Sequence, residues 1–417
     1  MQPTITHPGR AQSPTTFADN MRLPVHRWFR YSAGFSAELV LSILAEVDEA
    51  TVLDPFAGSA TTLLAAQSGG AESIGIDPHP FVSRVAEAKL SWTADVSEFR
   101  AASALVASTA RAQAPSAGLP PLLAKAYPQK TLGELLGYLA AVESVDAGAA
   151  VRRLLWLAFV AMVRPTSPVG TAQWQYVQPN RSKAKSMTPA DAWLAQTSMM
   201  ASDMAQMQAT TKTVPSARFL AEDARLEHRE VPSAWASHVI TSPPYANNYD
   251  YADATRLEQS VLGEVSGWSD LKEIRRDLVH ACSQHMSGYA AEEALAHEAL
   301  DPIRDELLPA YERLSEVRLE RGGRKAYHSM IVAYFLDLAQ VWRRLRRVVA
   351  GGGEVCFVVG DSAPYGVHVP VERWLGALAV SAGFEAPRFE KTRDRNTKWR
   401  NRKHRVPLHE GYLRVRG

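Results

Sequence analysis

Thr241-Ser242-Pro243-Pro244-Tyr245 follows directly on the apolar run 236–240, and its residue types suit chemistry on a planar amine. A strand that runs into Ser-Pro-Pro cannot continue, because proline has no N–H for a ladder and fixes its own φ. The resulting turn is stiff. It aims the carbonyls of Ser242 and Pro243 and the Ser242 hydroxyl at one point, with the ring of Tyr245 beside it. Acceptors without a competing donor, next to an aromatic platform, suit an exocyclic amino group on a base. Taken alone, the pentapeptide also reads, less favourably, as a proline-rich loop closing a strand.

The elements that would position such a turn come earlier in the chain. Val52-Leu53-Asp54-Pro55-Phe56-Ala57-Gly58-Ser59-Ala60-Thr61-Thr62 is a short apolar strand breaking into a small-residue loop, with a helical run at 63–67. Residues 73–77 form a second strand ending in Asp77. A strand, tight loop, helix, strand and acid in series bind a nucleoside in a doubly wound sheet: the loop lets backbone approach the ligand, and the acid accepts from ribose hydroxyls. The candidate contacts are Asp54, Pro55, Phe56, Ala57, Gly58, Ser59, Thr61, Thr62 and Asp77. A third short strand at 217–221 is also followed by acids, Glu222 and Asp223. Asn247, Asn248, Tyr249, Asp250 and Tyr251 are either the mouth of a pocket or the first turn of the next helix.

Together these two motifs, Asp54 through Thr62 and Thr241 through Tyr245, resemble the cofactor and catalytic motifs of the DNA amino-methyltransferases, in particular the cytosine-N4 branch. The resemblance implies an α/β fold, a Rossmann-like seven-stranded methyltransferase sheet with two mainly helical insertions. It implies S-adenosylmethionine as cofactor, with Asp223 taking the adenine amino group and Tyr31, in the aromatic stretch 31–35, closing over the methionine end. The same stretch also reads as core. Ser242, Pro243, Pro244 and Tyr245 would be catalytic, acting on a base flipped out of double-stranded DNA by direct in-line transfer. Serine before Pro-Pro favours cytosine N4 over adenine N6 in the resembled family. Ala60 stands where that family usually has glycine. A cognate restriction endonuclease is the further partner such enzymes suggest. Adenine-N6 transfer, an RNA amino-methyltransferase and a non-catalytic DNA-binding module on the same fold are the alternatives.

Order along the chain divides it into 1–90, an N-terminal arm and cofactor-binding part of the core; 91–213, a helical insertion; 214–259, core with the catalytic turn; 260–325, a second helical insertion; and 326–417, the C-terminal part of the core with a basic loop. In the first insertion, Trp174, Gln175, Tyr176, Arg181 and Lys183 mix amide, aromatic and basic side chains that could meet base edges and phosphates, or form a solvated loop. The second insertion reads as a solvated helical pair, a DNA-cleft wall or a dimer surface. A helix over 327–349 should end at Gly351-Gly352-Gly353 before a buried strand at 354–361. Strands around 384–390 and 411–415 would close the sheet, joined by a linker at 388–405 whose Arg393, Arg395, Lys398, Arg400, Arg402 and Lys403 would track phosphates.

Composition narrows the class. At 417 residues the chain has room for a large core with insertions. A net charge of +2 is not that of a small basic nucleic-acid binder, so DNA contacts must come from local clusters. The two cysteines, Cys282 and Cys356, lack metal-ligand spacing, which predicts a reducing cytoplasm and no metal. The longest apolar run, 154–163, is far short of the about twenty residues a membrane span needs, and no membrane association is expected.

Overall fold

A computed structural model describes residues 19–31, 34–114, 118–170, 178–183, 185–395 and 406–417. Nine strands are found among them: β1 (Thr51–Asp54), β2 (Glu72–Ile76), β3 (Val169–Gly170), β4 (Gln178–Ser182), β5 (Ala217–Leu220), β6 (Ala236–Thr241), β7 (Val349–Gly360), β8 (Arg388–Arg395) and β9 (Leu408–Arg416). Seven of them form one sheet in the order β5-β2-β1-β6-β7-β9-β8, while β3 and β4 pair separately. The pairs from β5 to β7 are parallel, and β9 lies antiparallel between β7 and β8.

Strand alternation divides the sheet's side chains between two cores, as the period of two requires. Leu53, Val239, Val355, Phe357 and Val359 face the helices Tyr327–Val348 and Val371–Ser381. Val52, Ile240, Cys356 and Val358 face the helices Ala37–Leu44 and Thr61–Ser68. With both faces covered, the central strands are near-continuous in apolar residues. Trp342 stacks on Phe357 at 4.4 Å between centroids, so one aromatic pair fixes the long helix on the sheet.

Between β2 and β5 the chain builds a helical body from Val96–Thr109, Gln129–Ser144, Ala149–Thr166 and Pro189–Thr210. It packs on Trp28, Phe29, Tyr31 and the helix Pro80–Leu90. Asp203, fully buried on the last of these helices, accepts from the Trp28 indole at 2.9 Å, Arg27 Nη2 at 2.5 Å and the Val25 amide at 3.2 Å. The N-terminal aromatic stretch is thereby anchored to a residue far along the chain.

Two expectations are corrected here. The triple glycine does not close the helix: it lies inside β7, where pairing with β6 jumps from Ala236↔Val349 to His238↔Glu354. Gly352 there has φ 76 and donates its amide to the Gly417 carbonyl, so the glycines supply a bulge rather than a cap. Nor is the whole of 388–405 a linker. Its first residues, Arg388–Arg395, are strand β8 paired with β9, because alternate side chains on this edge can face solvent without losing the ladder.

Candidate active site

Strand order reverses between β1 and β6, and the crevice at the carboxyl ends of such strands is where open α/β sheets hold ligands. A pocket opens there. Phe56, Ala57, Gly58, Ser59 and Thr61 enter it from the loop after β1, Asp77 from the end of β2, Asp223 from beyond β5, and Ser242 and Pro244 from beyond β6. Tyr31 and Phe35 complete it from the N-terminal stretch. Stretches separated widely in sequence thus meet because parallel strands all end at one edge.

Local backbone shapes the cradle. Gly58 has φ 49, and a Cβ there would stand 3.3 Å from the Tyr31 ring. Ala60, the position where the resembled family carries glycine, has φ 66 and caps the helix Thr61–Ser68. The left-handed conformation explains why glycine suits that place, and holding it with an alanine costs about 1 kcal/mol. The Ala60 methyl is buried, so it packs inward and leaves the pocket floor clear.

The acids differ in their partners. Asp77 accepts from the Gly58 amide at 3.0 Å and the His79 amide at 2.9 Å, which fixes its carboxylate at the rim. Burial pushes its pKa up to about 6, against the pull of those two bonds. Asp223 is held by both prongs of Arg225, with Nε 2.9 Å and Nη2 2.6 Å from Oδ2. Arg225 also reaches Asp337 at 3.0 Å, and Asp337 accepts from the His280 amide at 3.0 Å. Ser59 Oγ is buried and finds no partner among the described residues.

Ser242 Oγ donates to the Val358 carbonyl at 3.3 Å, which leaves its lone pairs as acceptors. The Tyr245 amide donates to the Tyr251 hydroxyl at 3.1 Å, closing a short loop back onto the turn. The guanidinium of Arg395 lies 5.1 Å from the centre of the Tyr245 ring. Tyr245 and Pro243 do not line this pocket. Residues 247–251 are turn rather than helix, with Asn248 at φ 65 and its Oδ1 accepting from the Ser283 amide at 2.9 Å.

Other expected contacts fall elsewhere. Asp54 and Thr62 are fully buried behind the loop, and Pro55 faces a groove on the far side with Leu345 and Arg347. Of the expected DNA contacts, Lys183 is half-buried with its ammonium 2.5 Å from the Arg164 carbonyl, and burial lowers its pKa to about 8. Arg393 is ion-paired to Glu410 at 2.8 Å, while Arg395 donates to the Asp361 carbonyl at 3.0 Å. Arg181 lies on β4. Trp174, Gln175, Tyr176, Lys398, Arg400, Arg402 and Lys403 lie outside the described residues.

Sequence reasoning missed Pro78, His79 and the run Asp277-Leu278-Val279, which all line the pocket. His79 directly follows the flagged acid and could have been taken with it. No local signal marks 277–279: the segment is held beside the pocket by long-range bonds, among them the Arg225, Asp337 and His280 chain and the Asn248 amide to the Ala281 carbonyl.

Sheet order, switch-point pocket and rim acids define a Rossmann-like methyltransferase fold. Residues 19–88 match the model of the N6/N4 DNA methylase family. Over most of its length the chain is similar to the Type II methyltransferase M.AvaI of Nostoc sp., at 25% identity over 417 residues covering 92% of this chain and 84% of the relative. It is likewise 25% identical to the Type II methyltransferase M.BsoBI of Geobacillus stearothermophilus, covering 89% of this chain and 80% of that one. These similarities support an amino-methyltransferase.

Among the described residues no helix is long and apolar enough to cross a membrane.

Proposed function

We propose that the chain is an S-adenosylmethionine-dependent DNA methyltransferase that modifies the exocyclic N4 amine of cytosine. The observation that carries this reading is the meeting of Ser242 with Asp77, Asp223 and the Phe56 to Thr61 loop around one pocket. The pocket suits the cofactor: Ser59 Oγ is an unpaired buried group, Asp77 is a fixed acceptor at ribose position, and Gly58 leaves its space open under Tyr31. Asp223, oriented by Arg225, would accept from the adenine amine, while Tyr31 and Phe35 would cover the methionine end. Asp54 and Thr62 act from behind, as positioning residues.

When bound, S-adenosylmethionine supplies a methyl group on a sulfonium. The amine of cytosine is conjugated with its ring and a poor nucleophile. Ser242 Oγ and the carbonyls of Ser242 and Pro243 would take its hydrogens, turning the nitrogen lone pair toward the cofactor pocket. Pro243 and Pro244 keep those acceptors from moving, and Tyr245 would fix the ring plane, its own ring held by Arg395. Alignment supplies most of the acceleration. The target base would be flipped out of double-stranded DNA at a cost of a few kcal/mol, offset by phosphate contacts, for which the basic residues between β8 and β9 are the candidates. The 91–213 helical body would carry target recognition and 260–325 would flank the cleft. A cognate restriction endonuclease in the same cytoplasm would be the partner suggested by the Type II names of the relatives.

Incubation with methyl-labelled S-adenosylmethionine and duplex DNA, followed by digestion to nucleosides, tests the reading. Labelled N4-methylcytosine is the expected product. N6-methyladenine would retain the fold and mechanism and overturn the inference from Ser242, whereas label only in RNA, or none, would overturn the DNA enzyme.

A further inference from the structure

A second cluster of chemical groups lies on the other side of the catalytic turn. Asp361 follows β7, Glu372 opens the helix Val371–Ser381, and His409 lies in β9. Their ligating atoms all come within 4.8 Å of one another. His409 Nδ1 is 3.0 Å from Asp361 Oδ2, and its Nε2 is 3.5 Å from Glu372 Oε1. His368 approaches the same Asp361 oxygen at 3.1 Å from the solvent side.

The other oxygen of each carboxyl is the telling one. Asp361 is 1% exposed, and its Oδ1 is buried without a hydrogen-bond partner among the described residues. Glu372 Oε2 is in the same condition. A buried acceptor with no donor loses its hydration without compensation, and two carboxyl groups this close require a proton or a cation between them.

We propose that Asp361, Glu372 and His409 bind one divalent transition-metal ion. Imidazole with two carboxylates is a donor set suited to Zn²⁺ or Mn²⁺. Tetrahedral zinc with ligands at about 2.0–2.1 Å has neighbouring donors about 3.3 Å apart; an imidazole gives an ion one nitrogen, so His409 offers either Nδ1, 3.0 Å from Asp361 Oδ2, or Nε2, 3.5 Å from Glu372 Oε1. His368, on the same oxygen of Asp361 as His409, orients that carboxylate from the solvent side.

The ion would join the end of β7, the start of a helix and β9 at one point. That point borders a polar cavity of about 460 Å³ lined by Asp361, Ser362, Asn247, Tyr327 and Arg395. Ser362 donates to the Ala246 carbonyl, directly after the catalytic turn. The role is therefore structural, stiffening the wall against which Tyr245 and Arg395 rest. Cysteine spacing gave no hint of it, because the donors are oxygen and nitrogen and come from three separate elements.

The test uses untagged full-length protein, stripped with a chelator and titrated with Zn²⁺ and, separately, Mn²⁺ by calorimetry, with metal content measured after dialysis. One ion per chain and a raised melting temperature are expected. Glu372→Gln and His409→Gln should weaken binding by at least the about 10–100-fold that loss of an outer-shell partner costs, and should abolish the thermal shift. Circular dichroism shows whether each variant folds; if one does not, the other and His368→Ala, expected to bind more weakly than wild type, carry the comparison. No stoichiometric ion in the wild-type chain, or equal binding by the folded variants, would overturn the proposal and leave a shared proton as the link between the carboxyl groups.

Discussion

Thr241 donates its hydroxyl to Asp54 Oδ1 at 2.5 Å, so the residue that begins the proposed catalytic turn is bonded to the residue that begins the proposed cofactor loop. Asp54 is saturated by two further donors, the Thr62 hydroxyl at 2.5 Å and the Phe56 amide at 3.0 Å. One buried carboxyl thus sets the spacing between the ends of β1 and β6, the two strands that flank the crevice.

Thr241→Val keeps the volume and removes the donor. It should destabilise the fold by about 1–3 kcal/mol and weaken cofactor binding and turnover together, since both motifs shift. Chemical denaturation and calorimetric titration of S-adenosylmethionine check it. A change in turnover with binding intact would show that Asp54 does not hold the two motifs in register.

Ser242→Ala and Tyr245→Ala should behave differently from that variant. Both residues are assigned to the base rather than the cofactor, so cofactor affinity should stay nearly intact while turnover falls by about 100-fold, the scale of a misaligned reacting pair. Parallel loss of affinity and turnover would count against the roles given to them.

Protonation of Asp77 gives a pH signature. Its carboxyl, raised to about 6 by burial, must be ionised to accept from ribose hydroxyls. Cofactor affinity should therefore be level above about pH 7 and fall by up to about tenfold per unit below about pH 6, and Asp77→Asn should flatten the profile at the weak end. Stability runs in the opposite sense. The folded chain holds this proton more tightly than the unfolded chain, so the contribution of Asp77 is greatest below the unfolded pKa of 3.8 and declines as pH rises to about 6. Asp54, also raised to about 6 by burial, adds in the same direction.

Arg225 is clasped between Asp223 and Asp337, all three largely buried. Arg225→Met should cost about 3–5 kcal/mol, because it leaves two buried carboxylates facing each other. Cofactor KM should rise more than kcat falls, since Asp223 loses its orientation and the 277–279 wall its tether. Arg225→Lys should rescue little, as a single ammonium cannot bond both acids with a fork's geometry. Equal kinetics in the lysine variant would reduce the role of Arg225 to charge alone.

What the sequence determined by itself is what is local. Proline chemistry ends β6 at Thr241, small residues open the loop after β1, and period-two and helical patterns mark the core strands and the helix Tyr327–Val348. These signals survive because each depends on neighbours in the chain. The triple glycine misleads for the same reason: its isolated sequence reads as a helix end, while the bulge it forms depends on Gly417, which no local window contains. Only the tertiary structure decided which loop residues face the pocket, placing Phe56 to Ser59 forward and Asp54 and Thr62 behind. It also decided the partners of charge. Arg393 reads as a phosphate contact in sequence and is paired to Glu410 in the fold; Asp223 acquires Arg225 and Asp337; and Asp361, Glu372 and His409 come together at all. Pairing of buried charge is a long-range matter, since desolvation must be offset by whichever group the topology brings within reach.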